Sequence, residues 1–227
     1  MAPRAKARLD DIIESATKVF SQKGFRRTLI TDVAADLGIA PGTIYTYVES
    51  KDALFHLVVE RASGVTTPPE TLPVRTPDGG VSTKDTIQAF TRTARLTHLT
   101  AALHEEKAED ITEELTAIID EQFDLVDRSR RLINLIERSA HDLPGLHTGF
   151  YAKGRRPFLR KIESYLDARI AVGQLREVPD TAATARFIVE SVAWFANHRH
   201  GDQDTTNIDD ESARQVCVDM LVHGLLP

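Results

Sequence analysis

Residues 30–54, ITDVAADLGIAPGTIYTYVESKDAL, constrain the fold more than any other stretch of the chain. Val33, Ala34 and Leu37 recur at helical spacing and predict a short helix. Gly38 predicts its end, because the tight turn needs a residue tolerant of positive φ. Ile39 is expected to plug that turn into the core. Pro41 suits a first helical position and opens a second helix through Gly42, Thr43, Ile44, Tyr45, Thr46 and Tyr47. Ile44 is expected to face inward and to leave Thr43, Tyr45, Thr46 and Tyr47 free. Ser50 should cap the next helix, with Lys51 in its first turn placed to meet a phosphate. The pattern is a helix-turn-helix whose second helix offers hydroxyls and phenols to phosphates and base edges.

At these residues the chain resembles the TetR family of bacterial transcriptional regulators. The likeness starts at Ala16, Phe20 and Gly24. It continues through Thr31, Val33, Ala34, Gly38, Gly42, Thr43, Tyr45, Tyr47, Lys51 and Leu54. Two departures stand out. Ala40 occupies a place where the family usually has a capping Ser, a loss of about 1 kcal/mol. Val48 stands where Phe is common and fills less of the core; at Tyr47 the family often has His. The resemblance implies an all-α fold, with an N-terminal three-helix DNA-binding domain and a larger C-terminal helical domain for ligand binding and dimerisation. It also implies contacts to double-stranded DNA from Thr31, Pro41, Gly42, Thr43, Tyr45, Thr46, Tyr47 and Lys51, with Thr31 and Lys51 on phosphates. Read from local chemistry alone, Thr31 is a helix cap, and the two roles are compatible.

A net charge of −6 looks wrong for a partner of DNA until it is divided. Residues 1–63 hold nine Lys/Arg against eight Asp/Glu, a balance of +1, which leaves −7 for the remainder. Arg4, Lys6 and Arg8 form a basic arm that reads either as a solvated tail or as a backbone or minor-groove contact. No apolar run approaches the roughly 18 residues of a membrane span, and no membrane partner is expected. The N-terminus lacks the apolar stretch of a secretory signal. With Cys217 the only cysteine, no internal disulfide can form, and a cytoplasmic protein is expected.

Beyond the motif, helix one is expected over about Leu9 to Gln22 and helix four over about Lys51 to Ser63. The Pro- and Gly-rich stretch with Pro68, Pro69, Pro73, Pro77, Gly79 and Gly80 divides the chain into residues 1–64, a linker at 65–83, and residues 84–227. This loop reads more naturally as a linker than as a flap. From Lys84 onward only helical periods appear. Helices are expected over about Lys84–Leu103, Ala108–Ala140 with a break near Ile119 to Phe123, Thr148–Val172 with a kink at Pro157, Pro179–His198 and Asp210–Gly224. That makes ten helices, an order similar to the family's layout.

Phe158, Ile162 and Leu166 make an apolar stripe, and Phe187, Val192 and Phe195 part of another; the family's dimers pair two such helices from each subunit, so these six are assigned to a homodimer interface. Phe90, His98, Phe123, Ile136, Phe150 and Trp194 are candidates to line a cavity for a small apolar effector, although core packing is the commoner role for any single one of them. His198, His200, Asp202 and Asp204 crowd one loop at a spacing that matches no defined metal site. Cys217 and His223 fall on different helix faces. No phosphate loop, nucleophile elbow or CxxC is present, and neither enzymatic chemistry nor a cofactor is expected. The sequence therefore points to a ligand-responsive regulator, most often a repressor in this family, that binds a palindromic operator as a dimer. Two alternatives remain: a regulator of the same fold that answers to a protein partner or to no ligand, and a helical enzyme using the C-terminal cavity.

Overall fold

Helical periodicity along the chain becomes twelve α-helices among the described residues. The computed structural model describes residues 3–64, 69–76, 81–94, 96–205 and 207–227, without the side chains of 3–6, 81, 82, 84, 92 and 93. The basic side chains of Arg4 and Lys6, together with Pro68, Pro77, Gly79 and Gly80, lie outside the described residues. In chain order the helices are α1 (Pro3–Arg27), α2 (Ile30–Leu37), α3 (Pro41–Tyr45), α4 (Lys51–Ala62), α5 (Val81–Thr93), α6 (Thr97–Ala102), α7 (Ile111–Arg128), α8 (Arg130–Ser139), α9 (Pro144–His147), α10 (Arg156–Ala171), α11 (Thr181–Ala196) and α12 (Asp210–His223). None of the described helices is long and apolar enough to cross a membrane.

The boundaries differ from the sequence reading where tertiary packing decides them. The helix expected over Lys84–Leu103 is split into α5 and α6. The break expected near Ile119 to Phe123 falls instead at Ser129, because Ile119 and Phe123 are buried in an unbroken α7. Pro157 opens a helix rather than interrupting one. It sits in the first turn of α10, where its missing N–H costs no bond, and a π-helical turn over Thr148–Arg155 precedes it.

The chain forms two compact units. The first comprises residues 1–93 and 131–153, the second residues 94–130 and 154–227. Helix α4 is the hub of the first. Seven consecutive residues, Ala53 to Val59, are buried, so it packs on every side. Leu54, Phe55 and Val58 share a core with Ile12, Ala16 and Phe20 of α1, Ile87 of α5 and Leu132, Leu135 and Ile136 of α8. Each such side chain contributes about 1.5–3 kcal/mol on burial. Phe55 meets Phe20 and Phe25 edge-on, at 5.1 and 5.0 Å between ring centres.

Gly24 bends α1 at φ 77°, ψ 170°, a conformation closed to side chains. A Cβ there would lie 2.4 Å from the Arg138 carbonyl oxygen. The bend frees two backbone amides for the segment after α8: Phe25 N donates to Ser139 Oγ and Arg26 N to Asp142 Oδ2, both at 3.1 Å.

In the second unit α7, α10, α11 and α12 enclose Leu115, Ile118, Phe123, Ile162, Leu166, Ile188, Val192 and Leu221. A polar knot closes one end. Arg169 is fully buried and clasps Glu114 through Nε at 2.8 Å and Nη2 at 3.0 Å. Its remaining protons go to the carbonyls of Ala102, Glu105 and Glu106. Tyr165 also donates to Glu114, at 3.0 Å. The Glu114 hydrogen bonds push the Arg169 pKa up, while burial, then Glu114, pushes Tyr165 far up. A buried charge is tolerable when every donor is met; here one guanidinium fixes the end of α6, the start of α7 and α10 together.

Candidate nucleic-acid interface

Local chemistry sets the geometry of the α2–α3 pair. Gly38 takes φ 64° and returns its N–H to Ala35 O at 3.2 Å, ending α2. Leu29, not Thr31, stands at the N-cap of α2; Asp32 reaches back to accept the Leu29 N–H at 2.9 Å. The cap role read for Thr31 is thus taken by Asp32, and Thr31 is an exposed first-turn residue. Ala40 leaves α3 without a side-chain cap. Helix α3 ends at Tyr45, shorter than the expected run to Tyr47. Ile44 is fully buried beneath it.

Over Ile44 the outer face of α3 presents Pro41, Gly42, Thr46 and Tyr45, the last 49% exposed. Thr43 is half-buried. Thr46 Oγ1 donates to Thr43 O at 2.7 Å, so its proton is already committed and its free lone pairs suit a base amino group better than a phosphate. Tyr47 packs partly against the core, so it is not free as the sequence suggested.

Lys51 also departs from expectation. Its ammonium donates to the carbonyls of Phe25 (3.1 Å), Thr28 (3.2 Å) and Arg26 (3.5 Å) and stands 4.5 Å over the Phe25 ring. A cation capping the last carbonyls of a helix satisfies its orphan acceptors and its dipole. All three protons are directed at these carbonyls, so without DNA Lys51 holds the end of α1. Ser50 caps α4 as expected, accepting from Ala53 N at 3.0 Å.

Most other cations of this domain are paired. Lys18 meets Asp36 at 2.5 Å, Lys23 meets Asp32 at 2.8 Å and Arg61 meets Asp10 at 2.6 Å. The Lys23 ammonium, then the Leu29 N–H, holds Asp32 below the usual carboxylate range, and Lys18, then Ser15, does the same for Asp36. Arg26 and Arg27 are exposed, with no carboxylate partner among the described residues.

Sequence reasoning missed one element, a strap at residues 69–76. Val74 forms a parallel bridge with Val48. Val74 N donates to Tyr47 O at 2.7 Å, and Glu49 N donates to Val74 O at 2.9 Å. Thr76 N reaches Glu49 Oε1 at 2.8 Å, and the Ser50 and Thr76 hydroxyls meet at 3.1 Å. Leu72 and Val74 pack on the first core, beside the position where Val48 is smaller than the usual Phe. The run of prolines concealed this pairing.

Residues 12–58 match the family profile described as bacterial regulatory proteins, tetR family. Over that stretch the chain carries a domain similar to the N-terminal DNA-binding domain of TetR-family regulators. An uncharacterized HTH-type transcriptional regulator of Bacillus subtilis, YvdT, is 33% identical over 60 residues, 26% of this chain and 31% of that protein. The match therefore spans less than a third of the relative's own length. Solved TetR-like structures extend the likeness in fold to the whole chain. The ketosteroid transcriptional regulator KstR2 of Mycobacterium tuberculosis superposes with a TM-score of 0.57 at 15% identity, covering 97% of this chain and 95% of that one. A Saccharomonospora viridis regulator in complex with choline gives 0.52 at 16% identity, covering 97% and 98%.

The residues nominated for an effector cavity divide between the two units. Ile136 is fully buried in the first core, where Phe90 and Phe150 pack partly against it. Phe123 is buried in the second. Trp194 is half-buried against Phe195, and His98 is exposed on the short helix α6. The nominated interface residues also divide. Ile162, Leu166 and Val192 are buried within their own unit, with Phe158 and Phe195 packed partly against them, whereas Phe187 is 65% exposed. In the polar loop His200 faces Arg130 and Asp210; burial, then the neighbouring Arg130 and Arg199 cations, lowers its pKa. Among the described residues no cluster of three His, Cys, Asp or Glu side chains could hold a metal.

Proposed function

We propose that this TetR-family chain is a DNA-binding transcriptional regulator that binds a palindromic operator as a dimer and is released by a small, largely apolar effector. The DNA-binding reading is carried by α3: Tyr45 and Thr46 stand exposed over a buried Ile44, on a helix short enough for its whole outer face to enter a major groove. Thr31, Pro41, Gly42 and Thr43 complete that face.

Dimerisation is assigned to α11 and α12. Phe187, Val216 and Met220 are 65%, 50% and 67% exposed, and a groove of about 360 Å³ beside them is lined by Val178, Ile188, Leu221 and Leu225. An apolar patch of this kind marks an interface. Two symmetry-related copies of α3 require two equivalent half-sites, hence the palindrome.

The effector reading rests on Gln122. It is 2% exposed, and its Oε1 accepts no hydrogen bond among the described residues. A buried acceptor left open is costly, and a ligand bearing one donor on an apolar body would satisfy it. Control by a protein partner, or by none, is the second reading; it is favoured by the separation of the six nominated cavity residues between two cores.

Selection from a random duplex pool with the full-length protein tests the first claim. An inverted repeat, bound with affinity that falls steeply with salt, is expected; enrichment of no repeat overturns it. A thermal-shift screen of apolar compounds carrying one hydrogen-bond donor tests the effector. A stabilising compound should release the selected duplex at matching concentration. Stabilisation without release favours the second reading.

A further inference from the structure

The domain that must meet DNA has few uncommitted cations. Lys18, Lys23 and Arg61 are paired with carboxylates, and Lys51 is consumed by the end of α1. Affinity for a duplex nevertheless requires positive side chains that displace counterions from phosphates. The strap supplies one. Arg75 lies between the two strap residues that are fastened to the segment after α3, Val74 by its backbone pairing with Tyr47 and Glu49, and Thr76 by its N–H to Glu49. Its own side chain is 85% exposed, and its one ion pair among the described residues, to Glu49, is long at 3.7 Å.

Building on the proposed DNA-binding reading, we infer that Arg75 is a phosphate contact delivered by the strap from outside the helix-turn-helix. The backbone is anchored on both sides of Arg75 while the guanidinium projects freely, so the position is fixed without using up the charge. A loosely held guanidinium exchanges its carboxylate for a phosphate readily, and its fork can take two phosphate oxygens at once. Glu49 has a second part in this. One of its oxygens holds Thr76 and the other faces Arg75, so the arginine also masks a carboxylate that would otherwise repel the duplex.

The test measures fluorescence anisotropy of the full-length protein on two duplexes, the one recovered by selection and a scrambled one of equal length, across a salt series. Arg75→Ala should weaken both duplexes several-fold alike and lower the slope of log K against log salt by about 1 per bound protomer. Arg75→Lys should restore most of the slope. Val74→Pro keeps the charge but removes the N–H that holds the strap to Tyr47, and it should reproduce the loss. An Arg75→Ala slope equal to wild type overturns the inference while leaving the DNA-binding reading intact, as does a loss confined to the selected duplex, which would mean a base contact. A wild-type protein that binds neither duplex overturns the underlying reading, and the inference with it.

Discussion

Replacing Gly24 by Ala isolates one steric contact, because Gly38 provides its control. Both glycines have positive φ, 77° and 64°. At Gly38 an added Cβ meets nothing within 4 Å, so Gly38→Ala carries only the left-handed penalty of about 1–2 kcal/mol. At Gly24 the backbone lies in a region almost exclusive to glycine, which costs about 1–3 kcal/mol, and the new Cβ would stand 2.4 Å from the Arg138 carbonyl oxygen. That neighbour is backbone and cannot rotate away. Relief requires α8 to move, which breaks the bonds from Phe25 N to Ser139 and from Arg26 N to Asp142, each about 1 kcal/mol. The sum is about 3–5 kcal/mol. For a chain of this size 1 kcal/mol shifts Tm by about 2–4 °C. Gly38→Ala should therefore melt a few degrees low, and Gly24→Ala about 6–20 °C below wild type. Calorimetry on the three proteins decides it. A Gly24→Ala shift no larger than that of Gly38→Ala would refute the packing of α8 on the bend.

Lys51→Ala should lower stability by about 1–3 kcal/mol in urea, because three carbonyls lose their donor, and should leave the salt slope of DNA binding unchanged; a lost slope with intact stability would return Lys51 to the phosphates. Phe187→Asp should yield folded monomers in sedimentation, whereas Val192→Asp, at a fully buried position, should unfold the chain; a folded Phe187→Asp dimer would move the interface elsewhere. Burial, reinforced by Asp120, raises the Cys217 thiol to about 11, so iodoacetamide at pH 8 should label it only on unfolding, read by mass spectrometry. Stability should fall on acidification in two steps, followed by melts across pH. The depressed His200 pKa favours the neutral ring, whose contribution is lost as pH drops below about 6.5. The depressed Asp32, Asp36, Asp209 and Asp210 contribute above about pH 4 and lose that as pH falls further. A melt unchanged from pH 7 to 3 would contradict both.

What the sequence made legible was local. Gly38 in its turn, Pro41 opening α3, Ile44 beneath it and the Ser50 cap are each decided within four residues, and the structure reproduces them. The carbonyl partners of Lys51 were not legible because they lie 23 to 26 residues away, and a first-turn lysine carries no mark of what it will face. The strap escaped for the same reason: Val74 finds Val48 across an intervening helix. Ile162, Leu166 and Val192 expose a different limit. Helical periodicity identifies which face is buried but not whether the same chain or a second copy buries it.

The first core also bears on how separable its DNA-facing helices are. Leu132, Leu135, Ile136, Ala140 and Leu146 belong to that core, yet they follow the N-terminal helices only after a long excursion through residues 94–130 in the other unit. Cutting the chain after α5 would leave Phe20, Leu54 and Ile87 facing water where those side chains had been. The helix-turn-helix is thus contiguous in sequence but not autonomous in folding. Exchanging it between relatives would demand that residues 131–153 travel with it, as two non-adjacent pieces of gene inherited as one part.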